Sequence, residues 1–202
     1  MFLTGIRLEE LPDKSVILVE EEVGDVKRIF SQVLANDALR SGKSAIYITS
    51  RLKDDILMQM SVYELEDLNK LEIVEKFNDV SKLLDLCKYD LCIIENFTLP
   101  LIYISQPEVL NLLNSLVACS RNNNSIIVLT SEPGIVSEGY QRLIRSMVDG
   151  IIQLTVKYTE SRIDYYINVP KMRGSPPPTK LMPFSVDDEG RYISIDNRER
   201  FA

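Results

Sequence analysis

Four strand-length runs in this 202-residue chain are apolar almost throughout: Ser15 to Glu20 (SVILVE), Ser44 to Thr49 (SAIYIT), Tyr89 to Glu95 (YDLCIIE) and Ser125 to Thr130 (SIIVLT). A strand with one face in water alternates apolar and polar residues. Strands without that alternation are covered on both faces, as in a parallel sheet with helices above and below. The segments between supply helices. Val26 to Arg40 sets Ile29, Phe30, Val33, Leu34 and Ala38 on one helical face, and Ser41-Gly42-Lys43 closes it. Leu52 to Met60 reads as helix, Leu71 to Val74 as a short strand, and Asn78 to Cys87 as a helix beginning near an Asn cap. Pro107 to Arg121 is a further helix, with Val109, Leu110, Leu113, Leu116 and Val117 on one side.

After Gly150 the rhythm changes. Ile151 to Tyr158, Arg162 to Val169 and Leu181 to Val186 are strand candidates with no helix between them. They predict an antiparallel extension of the sheet, ending in a hairpin around Asp187-Asp188-Glu189-Gly190. The stretch Gly174-Ser-Pro-Pro-Pro-Thr is too proline-rich for a helix or a central strand. The expectation is one α/β domain over 1–202, with an α/β core over 1–150 and a strand-rich extension over 151–202.

Composition removes several chemistries. The chain has no histidine, which excludes Ser–His and Cys–His nucleophile pairs and His-ligated metals. Eight glycines, about 4% of the chain against a usual ~7%, leave few places for backbone to wrap a phosphate. Cys87, Cys92 and Cys119 are odd in number, form no C-x-x-C pair and lie in apolar segments; they are expected to be buried thiols in a reducing compartment. Apolar runs far shorter than the ~20 residues of a membrane helix, and an N-terminus without a signal-peptide pattern, place the expectation in the cytoplasm, away from membrane. A net charge of −7, from 23 basic and 30 acidic side chains, gives no general footprint for nucleic acid.

In a doubly covered parallel sheet, ligands bind at the carboxyl ends of the strands. The first strand-to-helix turn is Glu20-Glu21-Glu22-Val23-Gly24-Asp25-Val26-Lys27-Arg28. The phosphate-cradling pattern G-x-x-x-x-G-K-[ST], laid over residues 21 to 28, matches at Lys27 and places Gly24 at an inner position. Its two defining glycines become Glu21 and Val26, and its metal-binding hydroxyl becomes Arg28. Side chains at 21 and 26 obstruct close backbone approach to a phosphate, and Arg28 offers no oxygen to a metal. Glu20, Glu21, Glu22 and Asp25 add negative charge where a triphosphate needs positive potential. The triplet Glu20-Glu21-Glu22 points in different directions along a strand and is read as a solvated acidic loop. Gly42-Lys43-Ser44 resembles the end of the same pattern, but a strand follows it; a helix C-cap is the reading.

Around these residues the chain resembles the KaiC-like ATPases of the RecA superfamily. The run VILVE-EEVGDVKRIFSQVLANDALRSGKSAIYIT looks like their opening. Val148-Asp149-Gly150-Ile151-Ile152-Gln153-Leu154, then YINVPKMRG (166 to 174), then Pro183-Phe184-Ser185-Val186 before Asp188-Glu189-Gly190 look like their end. The resemblance implies a RecA-like P-loop NTPase fold: a mainly parallel sheet flanked by helices, with antiparallel strands at the C-terminus. It also implies a metal-holding acid after the third apolar strand, where Glu95 stands, one methylene longer than aspartate. An acidic residue that activates water is implied after the second strand, where Thr49-Ser50-Arg51-Leu52 offers Arg51, which cannot act as a base. Lys171-Met172-Arg173 matches a K-x-R pair that reaches a neighbouring subunit's nucleotide.

The reading is therefore of an inactive KaiC/RecA-like protein with no catalytic residue, no metal site and no cofactor. Glu21, Gly24, Val26, Lys27, Arg28 and Glu95 are its vestigial nucleotide site, and Lys171 and Arg173 a candidate trans-acting finger. Its partner is a protein, either a second copy or an active KaiC-like relative. Two alternatives stay open: a divergent ATPase using Gly24, Lys27 and Glu95 with ATP and Mg2+, and a recombinase-like nucleic-acid binder. For the latter, Tyr158, Tyr165, Tyr166 and Tyr192 lie near Lys157, Arg162, Lys171 and Arg173, although strand packing accounts for tyrosines there equally well. Ser131 with Glu132, and Asp54 with Asp55, have no partner pattern that specifies chemistry.

Overall fold

The apolar runs pair side by side at the centre of a sheet whose order is β3-β2-β4-β5-β1-β6-β7-β8-β9. In chain order the elements are β1 (Ser15–Glu21), α1 (Val26–Arg40), β2 (Ala45–Ile48), α2 (Lys53–Val62), β3 (Glu72–Val74), α3 (Leu83–Leu86) and β4 (Leu91–Ile94). Then follow α4 (Gln106–Asn123), β5 (Ile126–Ser131), α5 (Glu138–Met147), β6 (Gly150–Tyr158), β7 (Ile163–Met172), β8 (Met182–Val186) and β9 (Ile193–Ile195). The computed structural model describes residues 11–22, 24–62, 68–75, 79, 82–158, 163–175, 181–186 and 193–195.

Strands β1 to β6 pair in parallel, and β7 to β9 continue antiparallel. Successive side chains in the central strands go to opposite faces. Ile17, Val19, Tyr47, Ile93 and Val128 pack with Phe30, Leu34, Ile56 and Met60 beneath α1 and α2. Val16, Leu18, Ile48, Ile94 and Leu129 pack with Leu83, Leu113, Leu116 and Ile144 beneath α3, α4 and α5. Both faces of the central strands are thus dry, which is why those runs lack polar alternation.

Helix ends follow local chemistry. Helix α1 stops in a turn where Lys43 N–H reaches Ala38 O at 2.9 Å and Gly42 N–H reaches Leu39 O at 3.0 Å. Gly42 has φ +75°, so Gly42-Lys43-Ser44 is the helix cap expected from its context. Helix α4 opens on a capping box in which Glu108 Oε2 accepts from the Ser105 backbone and hydroxyl at 2.7 and 2.6 Å.

Several expectations are corrected. The helix expected over Asn78 to Cys87 is, among the described residues, the single turn of α3. Helix α5 was not anticipated between Thr130 and Gly150. Ile144 is buried, and Tyr140, Leu143 and Met147 pack half-buried beside it at helical spacing. The presence of α5 changes the topology: a helical crossover from β5 allows β6 to pair parallel to β1, where an antiparallel strand was expected. The antiparallel extension begins instead at β7, where the register shifts between Ile151 and Gln153, opposite the segment that holds Pro170. Strand β9 pairs antiparallel with β8, the second arm of the expected hairpin, while residues 187–190, its expected turn, lie outside the described residues, as do most of the proline run (176–180), Arg162 and Tyr192. Cys87 and Cys92 are buried with their sulfurs 3.2 Å apart, but Cys119 is only half-buried. Its thiol reaches Cys87 O at 3.2 Å at the helix margin.

The amino edge of the sheet is tied by Asp149. Its carboxylate accepts from Val16 N–H at 2.9 Å and pairs with Arg121 at 2.6 Å and Arg173 at 3.4 Å. Its own backbone bonds Val16 O and Arg173 N–H. One side chain thereby joins the start of β1, the end of α4 and the segment after β7. A Cβ on the next residue, Gly150, would lie 2.7 Å from both Ile17 Cδ1 and Met172 Sδ, so the Asp-Gly pair serves packing. Asp149→Ala leaves a buried amide unpartnered and removes two ion pairs. We expect a loss of about 2–4 kcal/mol, read from urea denaturation, with a smaller loss in Asp149→Asn.

Candidate functional site

Parallel register brings the ends of β1, β2, β4 and β5 to one edge. Glu20 stands opposite Ser131 in β5, and Ile48 opposite Ile94, so the residues that follow these strands emerge as neighbours. This is the edge where ligands bind in such sheets, and it is lined with carboxylates.

The turn from β1 into α1 closes on its own side chain. Glu21 is buried, and its Oε2 accepts the backbone N–H of Lys27 at 2.9 Å. That amide is one of the free donors at the helix N-terminus that would otherwise face an anion. Gly24 has φ +142°, and a Cβ there would overlap Glu21 Oε1, so the loop admits the carboxylate only because residue 24 is glycine. Burial pushes the Glu21 carboxyl up from its ordinary value. The Lys27 amide and the Lys27 charge oppose that shift without cancelling it. Lys27 is itself turned inward, its side chain 5% exposed. Its ammonium donates to Glu132 Oε1 at 2.8 Å and Gly24 O at 3.0 Å, and lies 3.9 Å from Glu21 Oε2. Val26 is buried at the first position of α1.

Arg28 completes a second cluster. Its Nε donates to Glu95 Oε1 at 3.0 Å, and its terminal nitrogen lies 2.8 Å from Asp25 Oδ1. The side chains of Arg28 and Glu95 are 12% and 3% exposed. The other oxygen of Glu95 accepts the Thr49 hydroxyl, and Thr49 Oγ1 in turn accepts from Arg51 N–H at 3.1 Å. Beneath them the Tyr47 hydroxyl is buried with no partner among the described residues. Burial, and then the Glu95 charge, hold that phenol well above its usual range. The structure thus brings together Glu21, Gly24 and Lys27 in one cluster and Arg28 and Glu95 in another.

Other expected residues lie elsewhere or behave otherwise. The acidic triplet is not a solvated loop: Glu20 and Glu21 are buried and only Glu22 is exposed. Glu20 is held by Arg145 at 2.9 Å and Gln153 at 3.2 Å, on the face opposite Glu21. The Arg51 side chain is exposed. Lys171 and Arg173 sit at the other edge of the sheet, where Met172 pairs with Gly150 and Gly150 with Ile17. Lys171 caps the end of α5, donating to Arg145 O at 3.1 Å and Ser146 O at 2.9 Å. Arg173 donates to the carbonyls of Asp13 and Lys14, besides pairing with Asp149. The tyrosines of the extension are engaged in part: Tyr165 stacks on Phe184 with centroids 5.4 Å apart, and Lys157 lies 4.8 Å over the Tyr166 ring. Tyr158 is exposed.

Glu132, Thr49 and Asp25 are the members whose roles sequence reasoning did not find. Glu132 follows β5 and meets Lys27 across 105 residues. Its only sequence signal is position, as an acid directly after a buried apolar run, like Glu95. Among the described residues no group of three or more His, Cys, Asp or Glu side chains is placed to hold a metal ion, and no helix is long and apolar enough to cross a membrane.

A family model described as "ATPase: KaiC" matches residues 78–199. This chain belongs to the KaiC ATPase family. No curated protein matches it by sequence. Among solved structures it is similar to the flagellar accessory protein FlaH from Methanocaldococcus jannaschii, with a TM-score of 0.79 and 18% identity over 92% of this chain and 91% of that one. A KaiC-like protein from the hyperthermophilic archaeon Pyrococcus horikoshii gives 0.72 and 18% identity over 92% and 90%. At that identity the likeness is one of fold: the KaiC-family chain has the RecA-like sheet its motifs imply. The matched segment contains Glu95, Lys171 and Arg173; the β1–α1 turn lies before it.

Two predictions follow from the charges. Because the Glu21 carboxyl lies above its ordinary value when folded, the folded state binds more protons than the unfolded chain between the two values. Its contribution is therefore fully present below the unfolded pKa and is lost as pH rises through the folded one. Glu21→Gln, which keeps an acceptor for the Lys27 amide, should gain stability over the parent as pH rises from about 4 toward neutrality; a pH-independent gap in urea midpoints would contradict this. Arg28→Ala strands a buried Glu95 carboxylate and should cost about 3 kcal/mol, part of it recovered when Glu95→Gln is added, as a double-mutant cycle would report.

Proposed function

We propose that this KaiC-family chain works without a nucleotide, as a regulatory or structural subunit acting through protein contacts in the cytoplasm. The observation that carries the reading is substitution of ligand by side chain. The Glu21 carboxylate takes the α1 amide that a phosphate oxygen would take, and the Arg28 guanidinium lies between Glu95 and Asp25, where the resemblance puts a magnesium ion. A guanidinium has only N–H donors, whereas magnesium needs oxygen ligands in near-octahedral array. The residues present do not fit a magnesium–nucleotide: its phosphate would meet a buried carboxylate, and its metal a fixed cation.

FlaH is described as an accessory protein, and an accessory role suits a chain that retains the family's frame while its first turn is closed. The Lys171–Arg173 pair enters as an interface element. It lies about four residue levels from Glu21 along β1, on the order of 13 Å, so it can serve only a neighbouring molecule, either a second copy or an active KaiC-like relative. To do so it would exchange its contacts with the α5 carbonyls and Asp149.

Isothermal titration of the full chain with Mg-ATP is the test, with phosphate release measured in parallel. No saturable heat and no turnover are expected. Micromolar binding with turnover abolished by Lys27→Ala would replace this reading with that of a divergent ATPase. The triple variant Glu21→Gly, Val26→Gly, Arg28→Thr should gain measurable binding, because it removes the internal anion and cation together.

A further inference from the structure

We propose that Cys87 and Cys92 are a redox modification site, a dithiol that hydrogen peroxide converts to a reversible disulfide. Their sulfurs lie 3.2 Å apart. A disulfide is about 2.0 Å long, so side-chain movement of about 1.2 Å closes the bond. Both side chains are fully buried in the layer beneath α3, α4 and α5. The pair stands at the amino end of β4, where Cys92 directly follows the first residue, Leu91. Glu95 comes three residues later, about 10 Å along the chain, and the pair shares no residue with the Lys27 and Arg28 clusters. The proposal is therefore independent of whether the chain binds nucleotide.

The two thiols meet an oxidant differently. Cys92 is locked in β4, which pairs with β2 on one side and β5 on the other. Its contact with Cys87, and then burial, hold its thiol well above the ordinary range, so it stays protonated. Cys87 instead closes α3, a single helical turn, and so short a helix opens readily. The Cys87 carbonyl is held closed from α4 by the Cys119 thiol at 3.2 Å and Asn123 Nδ2 at 2.9 Å. The Cys119 hydrogen is thus engaged with backbone, and Cys92 is the sulfur that faces Cys87. Opening of the turn carries Cys87 into water, where its sulfur attacks one peroxide oxygen. The O–O bond breaks, the thiol proton leaves with the departing oxygen as water, and Cys87 becomes a sulfenic acid. When the turn recloses, the Cys92 sulfur attacks the Cys87 sulfur. The S–O bond breaks, and the Cys92 proton leaves with that oxygen as a second water. Two thiols are oxidised and one peroxide is reduced to two waters. The product staples α3 to β4, and a dithiol reductant reverses it.

The test treats the full chain with hydrogen peroxide under native conditions, then unfolds it for thiol counting and peptide mapping. Free thiols should fall from three to the one of Cys119, with a mass loss of two hydrogens, a linked Cys87–Cys92 peptide and full recovery in dithiothreitol. Cys119→Ser should form the same link. Asn123→Ala, which removes one donor from the Cys87 carbonyl, should speed its formation about fivefold. Amide exchange at residues 83–87 should slow about tenfold in the oxidised chain. The proposal is overturned if all three thiols survive peroxide, if the link includes Cys119, if Cys87 passes to sulfinic acid without a link, or if Asn123→Ala leaves the rate unchanged.

Discussion

The carboxyl edge of the sheet must neutralise the carboxylates that parallel register delivers to it. Glu20, Glu21 and Glu95 are all buried there, beside the half-exposed Glu132. A carboxylate taken from water costs several kcal/mol unless it is paired and hydrogen-bonded. Glu20 is held by Arg145, Glu132 by Lys27 and Glu95 by Arg28, while Glu21 accepts the Lys27 amide through one oxygen and keeps the other without a partner among the described residues. These pairings join α1 and α5 to the sheet edge alongside their apolar packing. Lys27 and Arg28, adjacent in sequence, reach different acids because they leave the helix in different directions.

This arrangement holds acids and bases in direct contact. Where a family ATPase would assemble an anion, a metal and its ligands from solution, this chain brings both signs on its own backbone. A tethered carboxylate and a tethered guanidinium lose no translational freedom on meeting, unlike a diffusing ligand. An external nucleotide would have to displace contacts already formed at high effective concentration.

The parallel core was largely legible because burial on both faces leaves a signal in every residue of a strand, as in SVILVE and SIIVLT. Helix α5 was missed although Tyr140, Leu143, Ile144 and Met147, spaced i, i+3, i+4 and i+7, lay one apolar stripe against the core; the segment is short and otherwise polar. That omission carried over into β6, whose direction depends on whether a crossover precedes it. At the site, the mismatch of residues 21, 26 and 28 to the phosphate-cradling pattern could be read from spacing alone. The contacts those residues make could not: the Glu21 loop depends on Gly24 at φ +142°, and the Lys27–Glu132 and Arg28–Glu95 contacts span 105 and 67 residues. The triplet Glu20-Glu21-Glu22 was misread as solvated because a run of acids is usually so. Only a partner on each face, Arg145 on one and Lys27 on the other, makes burial affordable here.

The division between retained and altered segments has a mechanical basis. The family match covers 78–199 and leaves out the β1–α1 turn. Within the matched range lie Asp149, Gly150 and Arg173, which join β1, α4 and β7 at the amino edge of the sheet. These residues act on the frame whether or not a nucleotide is present, so losing them would cost folding itself. The residues of the first turn act on one another: Glu21 takes the Lys27 amide, and Arg28 pairs with Glu95 and Asp25. An anion placed in the cradle without a cation beside Glu95 would leave the edge more negative by one charge, and a cation alone would lack part of its pairing. The two replacements are therefore best understood as a coupled pair across the α1 N-terminus.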